Sequence, residues 1–253
     1  MTMNEFAITF DIDWAPDFAI EALARTLVER RVKATWFVTH MSPAIESLRD
    51  VPELFELGIH PNFLPGSTHG KTPTEILANL QAMVPEATCV RTHSLVQSGP
   101  LLQMMIESSL KTDVSLFVPG MAGIQPFEFR LKGKSLLRVP YFWSDDYEME
   151  QIIPCWDLNA VLKVQGLKVM NFHPINTYLN MTNPQAYDNL KQFISDLSQL
   201  PASVGESFME EGEGPRAMFD RVVNYVAATG KSLCVRDVYT IKGGGKCVDE
   251  SAE

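Results

Sequence analysis

Cysteine pairs, positive charge and long apolar runs are all scarce in this chain. Four cysteines occur in 253 residues, with no Cys-x-x-Cys pair; they are Cys89, Cys155, Cys234 and Cys247. Spacing this wide excludes the disulfide framework that stabilises small secreted domains, and it predicts reduced, mostly buried thiols.

Acidic residues outnumber basic ones by 31 to 21, which gives a net charge of −10. Because the electrostatic field of this negative charge repels polyanions, the charge argues against nucleic acid or an anionic membrane surface as the main partner. No apolar run approaches the roughly 18 to 20 residues that span a bilayer, and residues 1–5 lack the features of an export signal. We therefore expect no membrane insertion, a cytoplasmic location and a neutral or weakly charged substrate.

The length and the 45% hydrophobic content are sufficient for one large core. We expect a single catalytic domain over residues 1–242. Residues 243–253 contain too little apolar surface to pack, so we expect a mobile C-terminal tail.

Strand-like and helix-like segments alternate along most of the chain, which favours βα units around a parallel sheet. Strands are predicted at residues 5–10, 34–39, 89–92, 167–172 and 232–235. A short helix is predicted over residues 52–57, with Gly58 ending it in a left-handed turn. Closely spaced β-like runs at 115–118, 127–131 and 136–139 predict a hairpin insertion.

Carboxylates and histidines stand at or just after the ends of these predicted strands. The first strand leads into Asp11 and Asp13, and the histidines follow later strand-like runs, at His40, His60, His69, His93 and His173. The carboxyl ends of parallel strands share one rim, where such folds carry their chemistry. Two carboxylates two residues apart on a strand point to the same side, and a divalent cation relieves their repulsion. The alternatives are that Asp13 caps the next helix and that Asp11 forms a turn.

His60 and His69 are the candidate metal histidines, because the Pro- and Gly-containing loop between them can bend His69 back. One Asp with two His suits Zn²⁺ or a similar divalent ion. The alternative for His69 is a solvated loop residue, and His93 is then the next candidate. Otherwise His93 is expected in the substrate pocket, and His40 is the histidine least expected to take part.

The order and spacing of several segments resemble the polysaccharide deacetylases with the NodB homology domain, carbohydrate esterase family 4. Residues 9–13, Thr-Phe-Asp-Ile-Asp, resemble the family's first motif; residues 33–38 resemble its second strand, and residues 56–60 the approach to its metal-binding histidine. Arg91, in Val-Arg-Thr-His, and His173, in Met-Asn-Phe-His, resemble two later motifs. The family's second metal histidine would fall at position 64, which is leucine here, so His69 is the natural replacement.

The resemblance implies a distorted (β/α) barrel of about seven parallel strands. It also implies that Asp11 is the general base, that Arg91 orients it and that His173 is the acid. The implied metal ligands are Asp13, His60 and His69, with Zn²⁺ as the first choice and Co²⁺, Mn²⁺ or Ni²⁺ as alternatives. Trp143, Asp145 and Asp146 loosely resemble the family's motif with a Trp and an Asp. Substrate contacts are expected from His93, Trp143 and Asp146, although a Trp among aromatic residues is more often part of a core or a pocket wall.

The expected function is removal of an N-acetyl or other N-acyl group from a sugar, an intracellular precursor of a surface polysaccharide or O-antigen. The sugar could be nucleotide- or lipid-linked. Two alternatives are an amidohydrolase acting on a small non-sugar amide or imide, and a non-catalytic sugar-binding relative. The sugar, the acyl group and the oligomeric state stay open.

Overall fold

The computed structural model describes residues 5–243, and within that range the strands form one curled sheet with helices packed against it. The strands are β1 (Phe6–Asp11), β2 (Ala34–Val38), β3 (Phe55–Ile59), β4 (Cys89–Val90), β5 (Thr112–Asp113), β6 (Phe127–Leu131), β7 (Lys134–Arg138), β8 (Trp143–Ser144) and β9 (Lys168–Phe172). Their order across the sheet is β6-β7-β5-β4-β3-β2-β1-β9-β8. The expected distorted (β/α) barrel is confirmed in the form of a nine-stranded curled half-barrel.

The helices follow most of the strands, as the alternating pattern requires. They are α1 (Asp17–Arg30), α2 (Pro43–Leu48), α3 (Pro73–Met83), α4 (Gly99–Glu107), α5 (Asp145–Met149), α6 (Leu158–Lys163), α7 (Pro174–Leu179), α8 (Pro184–Phe193), α9 (Ala202–Gly205), α10 (Pro215–Thr229) and α11 (Val235–Gly243). None of the helices described has the length and apolar content needed to cross a membrane.

Parallel pairing places the carboxyl ends of the central strands along one rim. All neighbouring strands pair in parallel except β6 and β7, which form the expected antiparallel hairpin. Every residue of β1, β2, β3 and β9 is buried, which is typical of parallel strands covered on both faces. The rings of Phe10 and Trp36 stack with centroids 4.1 Å apart, which joins β1 to β2 in the core. This rigid centre fixes the positions of the side chains at the rim.

Three predicted elements differ from the structure. The β-like run at residues 115–118 forms no strand, and Phe117 makes only a single bridge to Tyr141. Residues 55–59 form strand β3 rather than the end of a helix, because their side chains fill the sheet interior and override the local helical pattern. Residues 232–235 do not form a closing strand; Ser232 makes one bridge to Phe6 and the chain then enters α11.

Part of the expected tail, residues 244–253 with Cys247, lies outside the described residues. The three described cysteines, Cys89, Cys155 and Cys234, are free, and Cys155 is exposed while the other two are buried.

Gly58 is required by close packing inside the sheet. A Cβ atom at this position would lie 2.7 Å from the Cys89 sulfur and 2.8 Å from the Phe37 ring. We predict that Gly58→Ala lowers the free energy of unfolding by about 1–3 kcal/mol, because overpacking forces buried neighbours to move. Urea denaturation measures the change.

Gly99→Ala is the matched control, because a Cβ at Gly99 meets no atom within 4 Å and the residue begins α4. It should be neutral, or stabilising by up to about 1 kcal/mol. Equal stabilities for the two variants would contradict the packing argument.

Candidate active site and metal centre

The two carboxylates of the first motif meet at the rim because the chain turns sharply after β1. Asp11 is the last residue of β1, and Asp13 and Trp14 have φ values of 43° and 56°, in the left-handed region. Asp tolerates this conformation better than most residues do. Helix α1 has Pro16 at its N-cap and no side-chain cap, so Asp13 is not the capping residue. Its carboxylate is thereby available to the site.

Asp13, His60 and His93 form a cluster with the geometry of a divalent-cation site. The Asp13 Oδ1 lies 3.1 Å from His60 Nε2 and 3.0 Å from His93 Nδ1, and one ligand atom from each residue falls within 4.8 Å of the others. His60 Nδ1 donates to the Arg91 carbonyl oxygen at 2.7 Å, which leaves Nε2 as the coordinating atom. One carboxylate and two imidazoles suit Zn²⁺ and similar ions.

The structure does not place His69 in this cluster, although His69 was the expected third ligand. Its Nε2 donates to the Thr39 carbonyl at 2.8 Å, and its Nδ1 accepts from the Asn62 N–H at 3.1 Å. Both ring nitrogens are therefore used by the backbone, and neither keeps a lone pair for a cation. The His69 ring also stacks on Trp14, with centroids 5.4 Å apart. Its role in this geometry is to hold the loop, and His93 takes the third position.

Asp11 is buried and receives a hydrogen bond on each carboxylate oxygen. Arg91 Nη1 lies 3.0 Å from Oδ1, and Asn171 Nδ2 lies 2.9 Å from Oδ2. Burial by itself would raise the pKa of Asp11, but the positive charges of Arg91, His60 and His173 outweigh it, so the pKa lies below its usual value. Asp11 therefore stays ionised without being a member of the cation cluster.

Arg91 is fully buried, so its contact with Asp11 is not an ordinary surface ion pair. Its guanidinium carbon lies 4.6 Å from the centre of the Phe37 ring and 4.3 Å from that of the Tyr141 ring. Its Nε donates to the Val114 carbonyl at 3.2 Å. The side chain is thus fixed on three sides before it contacts Asp11.

His173 lies across the cluster from His60 and is held by Asp145. Its Nδ1 is 2.6 Å from Asp145 Oδ1, and its backbone N–H donates to Oδ2 at 2.8 Å. Its Nε2 is 3.6 Å from Asp13 Oδ2 and 4.0 Å from Asp11 Oδ2. Burial would lower the pKa of His173, but the neighbouring carboxylates, Asp145 first among them, raise it well above 6.5. The imidazole therefore carries a proton available at Nε2.

Asn171 is a site residue that the sequence analysis did not single out. Asn171 stands two residues before His173 at the end of β9, so the period of two places both side chains on one side of the strand. That spacing, the same as between Asp11 and Asp13, was a signal available in the sequence. Asp145 directly follows the two-residue strand β8, which has no comparable pattern.

Asp145, Asp146 and His173 also form a group of three potential ligands. Both oxygens of Asp145 already accept hydrogen bonds from His173, so this arrangement is better suited to holding the histidine than to holding a cation.

The rim opens into a cleft with two connected lobes. The metal lobe, of about 370 Å³, is lined by residues that include Asp11, Asp13, His60, His93, Phe117, Tyr141, Tyr147, Asn171 and His173. The acidic lobe, of about 250 Å³, is lined by Asp13, Asp146, Met149, Glu150, His173, Ile175, Asn176, Pro184, Tyr187 and Asp188. Asp13, Asp146, Glu150 and His173 line both lobes, so a bound molecule can extend from one to the other.

Of the three residues expected to contact substrate, His93 and Asp146 line the cleft and Trp143 does not. Trp143 is only 4% exposed and packs against Phe172, with ring centroids 4.9 Å apart. Its place in the core corrects the expectation of substrate contact. His40 is outside the cluster; its Nδ1 is 3.2 Å from the Thr39 hydroxyl.

Comparison with known proteins gives one family and several related folds. Residues 8–191 match the family model described as WbmS-like polysaccharide deacetylase. The structure is similar to that of WbmS from Bordetella bronchiseptica, a candidate polysaccharide deacetylase involved in O-antigen biosynthesis. The two are 31% identical with a TM-score of 0.76, and the match covers 88% of this chain and 91% of that one.

Two more distant structures share the fold. A family 4 acetyl xylan esterase from Clostridium thermocellum, solved with a cobalt ion, has 16% identity and a TM-score of 0.50, with 94% of this chain and 91% of that chain covered. A variant of the peptidoglycan deacetylase PdaC from Bacillus subtilis has 14% identity and the same TM-score, with 96% and 95% covered. At these identities the likeness shows the fold alone. No curated protein matches the sequence.

The cluster geometry predicts different effects of two histidine substitutions. His93→Ala should weaken Zn²⁺ binding by more than about 100-fold, because removal of a residue that only supports a ligand already costs about 10- to 100-fold. His69→Ala should keep one Zn²⁺ per chain. Titration calorimetry with Zn²⁺ and metal analysis of the purified variants give the two affinities. Loss of binding in His69→Ala together with normal binding in His93→Ala would contradict the assignment.

Proposed function

The chain belongs to the WbmS-like polysaccharide deacetylase family, and from that premise we propose that it is a metal-dependent hydrolase that removes an N-acetyl or other N-acyl group from a sugar. The observation that carries this proposal is the position of Asp11 and His173 around the Asp13, His60 and His93 cluster. An ionised carboxylate and a protonated imidazole, close together at one rim, are the base and the acid that amide hydrolysis needs.

The proposed substrate is a precursor of a surface polysaccharide, in keeping with the description of the Bordetella relative. The proposed compartment is the cytoplasm. Asp11 and His173 share one cleft, and Arg91 is buried behind Asp11; this arrangement favours an active enzyme over a non-catalytic relative.

Asp13, His60 and His93 would hold the divalent cation, for which Zn²⁺ remains the first choice. When bound, such an ion polarises an amide carbonyl and lowers the pKa of water. His60 directly follows β3 and His93 stands three residues after β4, so the ends of two different strands bring the histidines to Asp13.

Asp11 acts as the base in the proposed reaction and takes one proton from the attacking water. Arg91 and Asn171 each bind one of its oxygens, so the carboxylate is oriented and remains ionised near neutral pH. A carboxylate with a low pKa is a weak base in bulk water. Asp11 is effective as a base because it is positioned beside the reacting water.

His173 acts as the acid on the other side of the scissile bond. As the carbon–nitrogen bond breaks, the Nε2 proton passes to the leaving amine, and the acyl group departs as a carboxylic acid that loses its remaining proton to solvent. Asp145 holds the ring through Nδ1–H, so that the Nε2–H of the imidazolium faces the cleft.

Acetate release from N-acetylated sugars by Zn²⁺-loaded protein tests the proposal. We predict that His173→Ala keeps one Zn²⁺ per chain but lowers kcat by about 10²- to 10⁴-fold, the usual contribution of general acid–base catalysis. His40→Ala is the matched control, because this histidine also follows a strand but lies outside the cluster, and it should retain full activity. Absence of acetate release from every N-acetylated sugar by the metal-loaded wild type would overturn the proposed function.

The pairing of Asp145 with His173 predicts a change in the pH dependence of the reaction. His173 must be protonated to act as the acid, and its raised pKa keeps it protonated above pH 6.5. Asp145→Asn removes the negative charge that raises this pKa, so the alkaline limb of kcat/KM should move to lower pH. An unchanged alkaline limb in Asp145→Asn would show that another group supplies the proton.

A further inference from the structure

Strand β6 lies at one edge of the sheet and has one unpaired side. It stands first in the strand order and pairs with β7, and no strand or isolated bridge within residues 5–243 pairs with its outer side. The N–H and C=O groups along such an edge are a template for a strand of another chain. The opposite edge, β8, has two residues, whereas β6 has five. Of the two edges, β6 is therefore the one long enough to pair with a further strand.

The register of the hairpin shows which backbone groups of β6 point outwards. The Leu137 N–H donates at 2.9 Å to a carbonyl on the β5 side, so the residues before and after Leu137 face β6. They lie opposite Phe129 and Phe127, respectively. Because hydrogen-bonded and outward-facing residues alternate along a strand, the backbone groups of Glu128 and Arg130 point to the free edge.

Glu128 and Arg130 make this edge complementary to a second copy of itself. When two β6 strands pair antiparallel about Phe129, Glu128 of each chain lies directly opposite Arg130 of the other. These two residues carry the outward backbone groups, so each pair can exchange both N–H···O=C bonds. Their side chains are 41% and 79% exposed and already form an ion pair within the chain, so the four charges of the paired strands alternate in sign. Opposite charges across a strand pair are stabilising, whereas like charges are destabilising.

The other face of β6 is apolar and matches in the same register. Phe127, Phe129 and Leu131 alternate with the charged residues, and Phe127 is 45% exposed. Pairing about Phe129 sets Phe127 of one chain opposite Leu131 of the other. Leu131 lines a surface groove of about 900 Å³ together with Phe129, Leu101 and Met104. Pairing therefore moves each Phe127 ring out of water and towards the groove of the second copy, which is favourable.

Charged residues on an edge strand commonly prevent association, because a second copy then presents charge of the same sign. On β6 the two charges are of opposite sign and stand symmetrically about Phe129, so a second copy meets attraction instead. We propose that β6 is a docking surface for a second copy of this chain, which joins the two nine-stranded sheets across a two-fold axis at Phe129. Such an interface uses the same patch on both chains, so assembly through β6 stops at two.

Charge reversal tests both the docking surface and its register. Sedimentation equilibrium of the wild type up to about 1 mM, which detects even weak association, should show a monomer–dimer equilibrium. Glu128→Arg leaves two positive charges on each edge and Arg130→Glu leaves two negative ones, so each variant alone should dimerise at least about ten-fold more weakly. An equimolar mixture of the two variants should form a heterodimer about as tightly as the wild type dimerises, because every cross-strand pair then has one positive and one negative charge.

Glu53→Arg is the matched control, since Glu53 is an exposed carboxylate in the loop before β3 and should leave the dimerisation constant unchanged. The β6 substitutions change exposed side chains, and thermal unfolding checks that each variant is folded. A wild type that stays monomeric, a single β6 variant that dimerises as well as the wild type, or a mixture that forms no heterodimer would overturn the docking surface.

Discussion

The buried Arg91 is the residue on which the rest of the site depends, because it acts through both its side chain and its backbone. Its guanidinium binds Asp11, while its carbonyl oxygen accepts the Nδ1 proton of His60. A buried charge is costly unless it is paired and hydrogen-bonded. Here two aromatic rings, the Val114 carbonyl and the Asp11 carboxylate surround it, so one residue fixes the proposed base and also the tautomer of a candidate metal ligand.

The charged surroundings give Asp11, Asp13 and His173 different protonation states, although His173 lies within about 4 Å of both carboxylates. Positive neighbours lower the pKa values of Asp11 and Asp13 against the effect of burial. Negative neighbours raise that of His173, also against burial. The proposed base and acid therefore differ in protonation near neutral pH, because each is surrounded by charge of the opposite sign.

The sequence predicts the parts of the fold and site that depend on local pattern. The central strands, the hairpin at residues 127–138 and the meeting of Asp11, Asp13, His60, Arg91 and His173 at one rim all follow from strand periodicity and parallel order. The sequence does not predict features that depend on contacts between residues far apart along the chain. His69 is engaged by the backbone at Thr39 and Asn62, and Gly58 serves the packing of Cys89 and Phe37 rather than a helix end. Neither neighbourhood can be inferred from adjacent residues.

We propose that a divalent cation lies between Asp13, His60 and His93, with Asp11 and His173 beside this cluster. A crystal structure of the Zn²⁺-loaded protein, with anomalous diffraction measured at the zinc edge, locates the ion. One anomalous peak is expected within about 2.0–2.2 Å of Asp13 Oδ1, His60 Nε2 and His93 Nδ1. A peak coordinated by His69, or one outside this cluster, would contradict it.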